Sequence, residues 1–182
     1  MTVFFRLRGV AIWTLAAGLA LGIAVGDARA QSAPKKSAPV AKGAPAGQAK
    51  DGQVFEDWTA RCGPNGCNLS QSQFVEGGAR LIQFSIGRIG SQGELGAVAV
   101  VPLGIHIPAG ALLVMDGKTI PFIIRTCTQQ GCQASSSLTT AQLGEIGKAQ
   151  ALEVALMDDA NRQSMMIPLS VKGLSQGLAA VR

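Results

Sequence analysis

The sequence lacks tyrosine and contains only one histidine, His106. A serine hydrolase triad is therefore not apparent, since a Gly-x-Ser-x-Gly elbow is missing as well. The acidic residues are dispersed, which leaves no visible carboxylate pair for glycoside hydrolysis, and no phosphate-cradling glycine motif occurs. Without tyrosine, an aromatic groove for sugars or nucleic acids is not expected. We predict no catalytic, cofactor-binding or metal-binding residues.

An excess of one charge is missing from the part of the chain that we expect to fold. The net charge is +5, but residues 1–50 hold seven of the sixteen bases and one acid. From Asp51 onward there are nine bases and ten acids, which gives a net charge of −1. Because a basic footprint is absent there, nucleic acid is not an expected partner.

The N-terminus has the pattern of an export signal. Arg6 and Arg8 precede an uncharged, mostly apolar run at 10–25, and a small-x-small cleavage sequence follows at 28–30. We predict a signal peptide at residues 1–30 and a location in the periplasm or outer envelope. An uncleaved anchor stays open, because the run is only slightly shorter than the roughly 17–25 residues that span a bilayer.

Residues 31–52 consist almost entirely of Gln, Ser, Ala, Pro, Lys and Gly. Such a segment cannot bury enough apolar surface to offset chain entropy, so we predict a disordered tether. Its simplest role is that of a spacer. Alternatively, Lys35, Lys36, Lys42 and Lys50 hold the chain against anionic lipid as a peripheral membrane contact.

Residues 53–182 have the composition of one all-β domain with a hydrophobic core, in which short apolar runs alternate with Gly, Pro and Asp-Gly. The expected strands lie near residues 54–62, 67–74, 80–88, 95–101, 111–115, 119–125, 150–157 and 164–171. Short helices are expected within 140–150 and at 174–181.

Two local patterns support this assignment. Ile82, Phe84 and Ile86 alternate with polar residues, which is typical of a strand buried on one face. Asp116-Gly117 between two apolar runs predicts a tight hairpin, because both residues tolerate positive φ. Pro121 would then lie at an edge or a bulge.

The four cysteines form two pairs of identical spacing, Cys62 with Cys67 and Cys127 with Cys132. An even number in an exported chain favours two disulfides. We favour the two local bridges, because a hairpin loop of four residues sets its flanking residues opposite one another. Loop entropy alone would favour cross-pairing, since a long-range bridge stabilises by about 4 kcal/mol and a small ring by about 2. A zinc site or a redox pair would use other spacings, such as C-x2-C.

Three other features have competing interpretations. His106 is interpreted as a solvent-facing or core residue rather than a ligand. The acidic sequence at 158–161 predicts a turn, although a calcium loop is the alternative. Trp58 is interpreted as a core residue near the first disulfide rather than a ligand platform.

Four segments in order resemble a known family. They are Phe-Glu-Asp-Trp-Thr-Ala-Arg-Cys at 55–62, Val-Pro-Leu-Gly-Ile at 101–105, Cys127 with Gly131-Cys132, and Leu-Ser-Val-Lys-Gly-Leu at 169–174. This order resembles the invasion-associated locus B family of alphaproteobacteria over about residues 53–180. Leu174 stands where an aromatic residue is usual, and Val171 replaces leucine.

The resemblance implies an exported, envelope-associated β-sandwich of immunoglobulin-like type without an established enzymatic activity. It also implies a link to host-cell invasion, because the founding member promotes entry into host red cells. We therefore expect a non-catalytic protein whose partner is an unknown envelope or host protein. A periplasmic thiol oxidoreductase, or a hydrolase with an unrecognised site, is the alternative from another class.

Overall fold

The computed structural model describes residues 49–182. They form ten strands and two α-helices, with a 3₁₀ turn at Ile107–Ala109. The strands are β1 (Val54–Phe55), β2 (Trp58–Gly63), β3 (Gly66–Phe74), β4 (Arg80–Ile89), β5 (Glu94–Val101), β6 (Ala111–Met115), β7 (Lys118–Thr128), β8 (Gly131–Ser137), β9 (Leu152–Met157) and β10 (Ser164–Leu169). The helices are α1 (Thr140–Ile146) and α2 (Leu174–Val181). Within these residues, none of the helices has the length and apolarity needed to cross a membrane.

The strands pair in the order β1-β2-β3-β4-β5-β8-β7-β6-β9-β10, and every neighbouring pair is antiparallel. The long strand β7 divides this order into two sheets. Its first half pairs with β6, and from Ile123 onward it pairs with β8. We call β1 to β5, β8 and the second half of β7 the large sheet. The small sheet consists of the first half of β7 with β6, β9 and β10. The predicted all-β sandwich is confirmed.

The core follows from period-2 alternation in the strands of both sheets. Ile82, Phe84 and Ile86 are fully buried, as their alternation with polar residues predicted. On the small sheet, Leu113 and Val154 are buried at directly paired positions. These side chains belong to one hydrophobic cluster, in which Phe84 and Phe122 have ring centroids 6.1 Å apart.

The predicted hairpin at Asp116-Gly117 is present between β6 and β7. Both residues have positive φ, 45° and 81°, in a two-residue turn closed by Met115 and Lys118. The Asp116 carboxylate also accepts hydrogen bonds from the backbone N–H groups of Gln150 and Ala151, at 3.0–3.1 Å. The hairpin is thereby tied to the segment that leads into β9.

Both helices lie where the sequence indicated. Helix α1 begins with a capping box, in which Thr139 and Gln142 satisfy each other's backbone N–H groups. Helix α2 contacts β1 to β4 of the large sheet. Its residue Gly177 allows this approach, because a Cβ there would lie 2.6 Å from Cδ1 of Leu69. Gly173, with φ of 78°, precedes α2 in the left-handed region.

The structure corrects two strand assignments. The segment predicted as one strand at 54–62 is a hairpin of β1 and β2, in which Phe55 pairs with Trp58 and Glu56 has φ of 52°. Strand β8, Gly131–Ser137, was not predicted. Pro121 lies inside β7 but before the pairing with β8 begins, so it interrupts no ladder on that side.

The folded domain includes residues on the N-terminal side of the predicted boundary at residue 53. The Ala49 N–H donates to the Ala180 carbonyl at 3.1 Å, and the Gly52 N–H donates to Ala60 O at 2.9 Å. Asp51 accepts a hydrogen bond from the Cys62 N–H at 2.9 Å. Residues 49–52 therefore pack on β2 and α2 as part of the domain. The predicted signal peptide and residues 31–48 of the tether lie outside the described residues.

Candidate functional site

The cysteines form two local disulfides, Cys62–Cys67 and Cys127–Cys132. Each joins directly opposed residues next to a two-residue hairpin loop, with Cα atoms 4.0 and 3.9 Å apart. Because β3, β4, β5 and β8 alternate in direction, the two bridges lie at opposite ends of the large sheet. Neither pair stands at the N-terminus of a helix, the location that activates a thiolate in many oxidoreductases.

His106 belongs to a small polar cluster that links two loops. Its Nδ1 atom lies 2.9 Å from Oδ1 of Asp159, and its Nε2 atom lies 2.6 Å from the Arg162 guanidinium. The backbone supports the same link, since His106 N–H donates to Met157 O. Among residues 49–182, no group of three His, Cys, Asp or Glu side chains is placed to hold a metal ion.

The acidic sequence at 158–161 is the turn between β9 and β10. The Asp158 carboxylate accepts hydrogen bonds from the N–H groups of Ala160 and Asn161, at 2.9 and 3.0 Å. Asn161 accepts a further bond from the Gln163 N–H at 2.9 Å. These side-chain oxygens accept hydrogen bonds from backbone N–H groups of the turn itself, and the predicted turn is confirmed.

Trp58 is a core residue, as predicted. It is fully buried, its indole N–H donates to Ser170 O at 2.8 Å, and it meets Phe84 edge-on with centroids 6.3 Å apart. Since Ser170 follows β10, this bond fastens the end of the small sheet to β2. The indole therefore offers no surface for a ligand.

Of the four lysines in the arm, the structure describes only Lys50. Its side chain is exposed, and its backbone N–H donates to Gln53 Oε1 at 3.1 Å. Lys35, Lys36 and Lys42 lie outside the described residues. The membrane contact expected of the arm therefore stays a prediction.

The most unusual surface is the solvent side of the small sheet. We call it the small-sheet outer face and define it by two neighbouring rows of four side chains, six of which are apolar: Pro121, Leu112, Ala155 and Met166 in one row, and Thr119, Val114, Glu153 and Pro168 in the other. The register places them on one side, because Leu112 is directly opposite Pro121 and Ala155, and Ala155 is opposite Met166. An exposed antiparallel sheet face is normally polar, so an apolar one indicates a contact surface.

Exposure at this face is substantial. Leu112 is 38% exposed and Met166 is 45% exposed, while their neighbours in sequence Leu113 and Ile167 are buried on the other side of the sheet. Ile123 extends the face along β7 and is 59% exposed. The outer side of the small sheet is therefore mostly apolar, and only the inner side has a partner within the described domain.

A cavity of about 130 Å³ opens at one end of the small-sheet outer face. It is lined by Leu112, Ala155, Met157 and Ser164, together with the turn that precedes β6. Its volume is close to that of a cavity that holds one benzene-sized group. The cavity suits a single apolar side chain.

The sequence pattern alone does not identify this face as a candidate site. A signal was present, since residues 111–115 are apolar without alternation. Such a run is also typical of a strand that is buried on both sides, so the pattern alone does not separate the two cases. The register of four strands was needed to show that one side is open.

The family model for invasion associated locus B (IalB) protein matches residues 58–182. The chain belongs to the IalB family. The match covers nearly all of the described domain, including both disulfides, Trp58 and the small sheet. The resemblance predicted from the four sequence segments is thereby confirmed.

A solved structure supports the fold of this IalB family domain. The crystal structure of invasion associated protein b from Bartonella henselae is similar, with a TM-score of 0.60 and 19% sequence identity. The similarity covers 69% of this chain and 91% of the Bartonella chain. At that identity the comparison shows the shared fold alone. No curated protein matches the chain.

Proposed function

We propose that this IalB family protein is exported, folds in an oxidising envelope compartment and acts there by binding another protein rather than by catalysis. The two disulfides carry the proposal. Every described cysteine is bonded, and such bridges persist in the periplasm but are rare in the cytosol. The signal-like pattern at residues 1–30 supports the same compartment.

The binding role is supported by the small-sheet outer face, which leaves Leu112 and Met166 open to solvent. The polar clusters found in the domain have structural partners instead. Asp158 satisfies its own turn, and Asp159 pairs with His106 and Arg162. The exposed apolar face and the internally paired polar groups both fit a protein that binds a partner at its surface rather than one that carries out a reaction.

Cell fractionation tests the compartment. The full chain, expressed in its own host with a C-terminal epitope, is expected in the periplasmic or outer-envelope fraction, shortened by about thirty residues. A variant with Arg6 and Arg8 changed to Glu serves as control and is expected to stay unprocessed. Recovery of the unaltered chain in the cytoplasm, with free thiols, contradicts the proposal.

Thiol labelling separates this function from a thiol oxidoreductase. The native protein is expected to remain unlabelled by a thiol reagent until it is unfolded and reduced. Reduction and labelling of either pair in the folded protein at about −120 to −270 mV, the range of known thiol oxidoreductases, favours the oxidoreductase, because structural bridges typically need potentials below about −300 mV.

Host-cell invasion is the second candidate function. The family model and the Bartonella structure both carry invasion in their descriptions. A deletion strain tests it, with loss of entry into host cells and restoration by the plasmid-borne chain as the expected result. Unchanged entry by the deletion strain removes this candidate and leaves the envelope role intact.

A further inference from the structure

The small-sheet outer face carries one ionisable side chain among its two rows, that of Glu153. Glu153 lies opposite Val114 on β6 and Pro168 on β10, so apolar side chains flank it on both sides. It is half-buried, and within residues 49–182 it has no hydrogen-bond or ion-pair partner for its carboxylate. Covering the face would bury this carboxylate, and a buried unpaired charge is strongly unfavourable. A stable occupant must therefore bring a cation to Glu153.

The size of the face favours a short segment over a second copy of the chain. Four strands about 4.8 Å apart, each with about five residues of 3.4 Å, give roughly 300 Å² of flat area. A stable protein interface typically involves about 20–30 residues on each partner, whereas the two rows of this face contain eight side chains. A twofold pair of copies would also bury two Glu153 carboxylates, and the face itself carries no cation to pair with them.

The free edge of β10 is a poorer docking site than the face. The Asp158 N–H donates to Gln163 O, so Gln163 and every second residue after it on β10 direct their backbone hydrogen bonds toward β9. The backbone groups of the intervening residues therefore face the open edge; these residues are Ser164, Met166 and Pro168. Because Pro168 has no N–H, a partner strand added there would lose a hydrogen bond.

We propose that the small-sheet outer face binds an apolar segment of another envelope protein that places a Lys or Arg side chain against Glu153. The segment lies across Leu112, Ala155 and Met166 and inserts one apolar side chain into the adjoining cavity. The proposal deepens the proposed function and rests on it only for the compartment in which the partner is found.

The test selects short random peptides, displayed on phage, against the full exported chain. The expected binders combine apolar residues with a Lys or Arg. Leu112→Ser and Met166→Ser are expected to weaken their binding about tenfold. Phe74→Ser is the matched control, because Phe74 is 61% exposed on β3 and outside the face. Urea unfolding of each variant shows whether it is folded.

The charge reversal Glu153→Lys is the decisive variant. Peptides selected against it are expected to carry Asp or Glu in place of Lys or Arg, while peptides selected on the unaltered chain lose affinity for it. Binding that ignores this reversal overturns the proposal, as does binding that survives both serine variants.

Two alternative occupants give their own results, and either one overturns the proposal. A dimer in sedimentation experiments that dissociates with Met166→Ser assigns the face to a second copy. Peptide binding that appears only after removal of residues 31–48 assigns it to the chain's own arm. Because these measurements use purified protein, they are independent of the fractionation that tests the compartment.

Discussion

Replacing Gly173 by alanine tests how the C-terminal helix is held on the large sheet. Gly173 precedes α2 with φ of 78°, and a Cβ there would overlap the Phe55 carbonyl and lie 3.1 Å from the Cβ of Glu56. Both neighbours belong to the β1–β2 hairpin, and the nearest atom is backbone that cannot rotate away. Gly104 offers a matched control, since it has φ of 83° and open space around its missing Cβ.

The two substitutions share one cost and differ in another. Each places an L side chain in the left-handed region, at about 1–2 kcal/mol. Gly104→Ala is expected to lose only this amount. Gly173→Ala must also displace the β1–β2 hairpin, and overpacking of this kind adds about 1–3 kcal/mol. We expect a total loss of roughly 2–5 kcal/mol for Gly173→Ala.

Urea unfolding measures both free energies. Trp58 is a convenient reporter, because it is the only tryptophan in residues 31–182 and is fully buried. The chain without its predicted signal peptide avoids the signal of Trp13. If Gly173→Ala and Gly104→Ala destabilise the protein equally, the steric argument at Phe55 is refuted.

Four further variants probe individual interactions by urea unfolding, and circular dichroism follows the variant that lacks Trp58, the fluorescent reporter. Changing Cys127 and Cys132 together to Ser removes a small loop constraint and is expected to cost about 2 kcal/mol, so a loss above about 4 would contradict a purely local role. Asp116→Ala removes an acceptor of two backbone N–H groups and is expected to cost about 1–3 kcal/mol. Lys118→Ala breaks an exposed ion pair with a 3.1 Å separation and is expected to cost less than about 1 kcal/mol. A larger loss for Lys118→Ala than for Asp116→Ala would disprove this ranking. Trp58→Phe leaves Ser170 O without its hydrogen-bond donor and is expected to lower the free energy of unfolding by about 1–3 kcal/mol. An unchanged midpoint of urea unfolding would show that this hydrogen bond does not stabilise the fold.

Local sequence chemistry predicted much of the fold. Asp116-Gly117 specified a hairpin because few residues tolerate its backbone angles. The helix at 174–181 was predicted with the bounds that the structure shows, Leu174–Val181. The alternation at residues 82–86 identified the core side of β4. In each case the information lies within a few neighbouring residues.

Two elements were not visible in the local hydrophobic pattern. Strand β8 contains Gln133, Ala134 and three serines, so its alternation is one of small against polar residues, and hydrophobicity does not reveal it. The apparent strand at 54–62 is divided by Glu56, whose positive φ is uncommon for such a residue. Strand β8 is stabilised by pairing with β5 and β7, and β1 by pairing with β2, and the local hydrophobic pattern reveals neither contact.

The candidate site was the least predictable part. Leu112 and Met166 are 54 residues apart in the chain and share a surface only through Ala155, which lies between them in the register. Neither side chain carries recognisable chemistry. The predicted features, His106 and the turn at 158–161, had chemistry but satisfy one another or the backbone.

Strand β7 has a mechanical consequence because its eleven residues serve both sheets. Neither layer can separate while the other keeps its ladder, so the sandwich is expected to melt as a single body rather than peel apart sheet by sheet. The same continuous backbone runs from Pro121, on the small-sheet outer face, to the Cys127–Cys132 disulfide at the β7–β8 hairpin. A force applied by a partner bound at the small-sheet outer face would thus be transmitted along β7 to a hairpin that a disulfide closes.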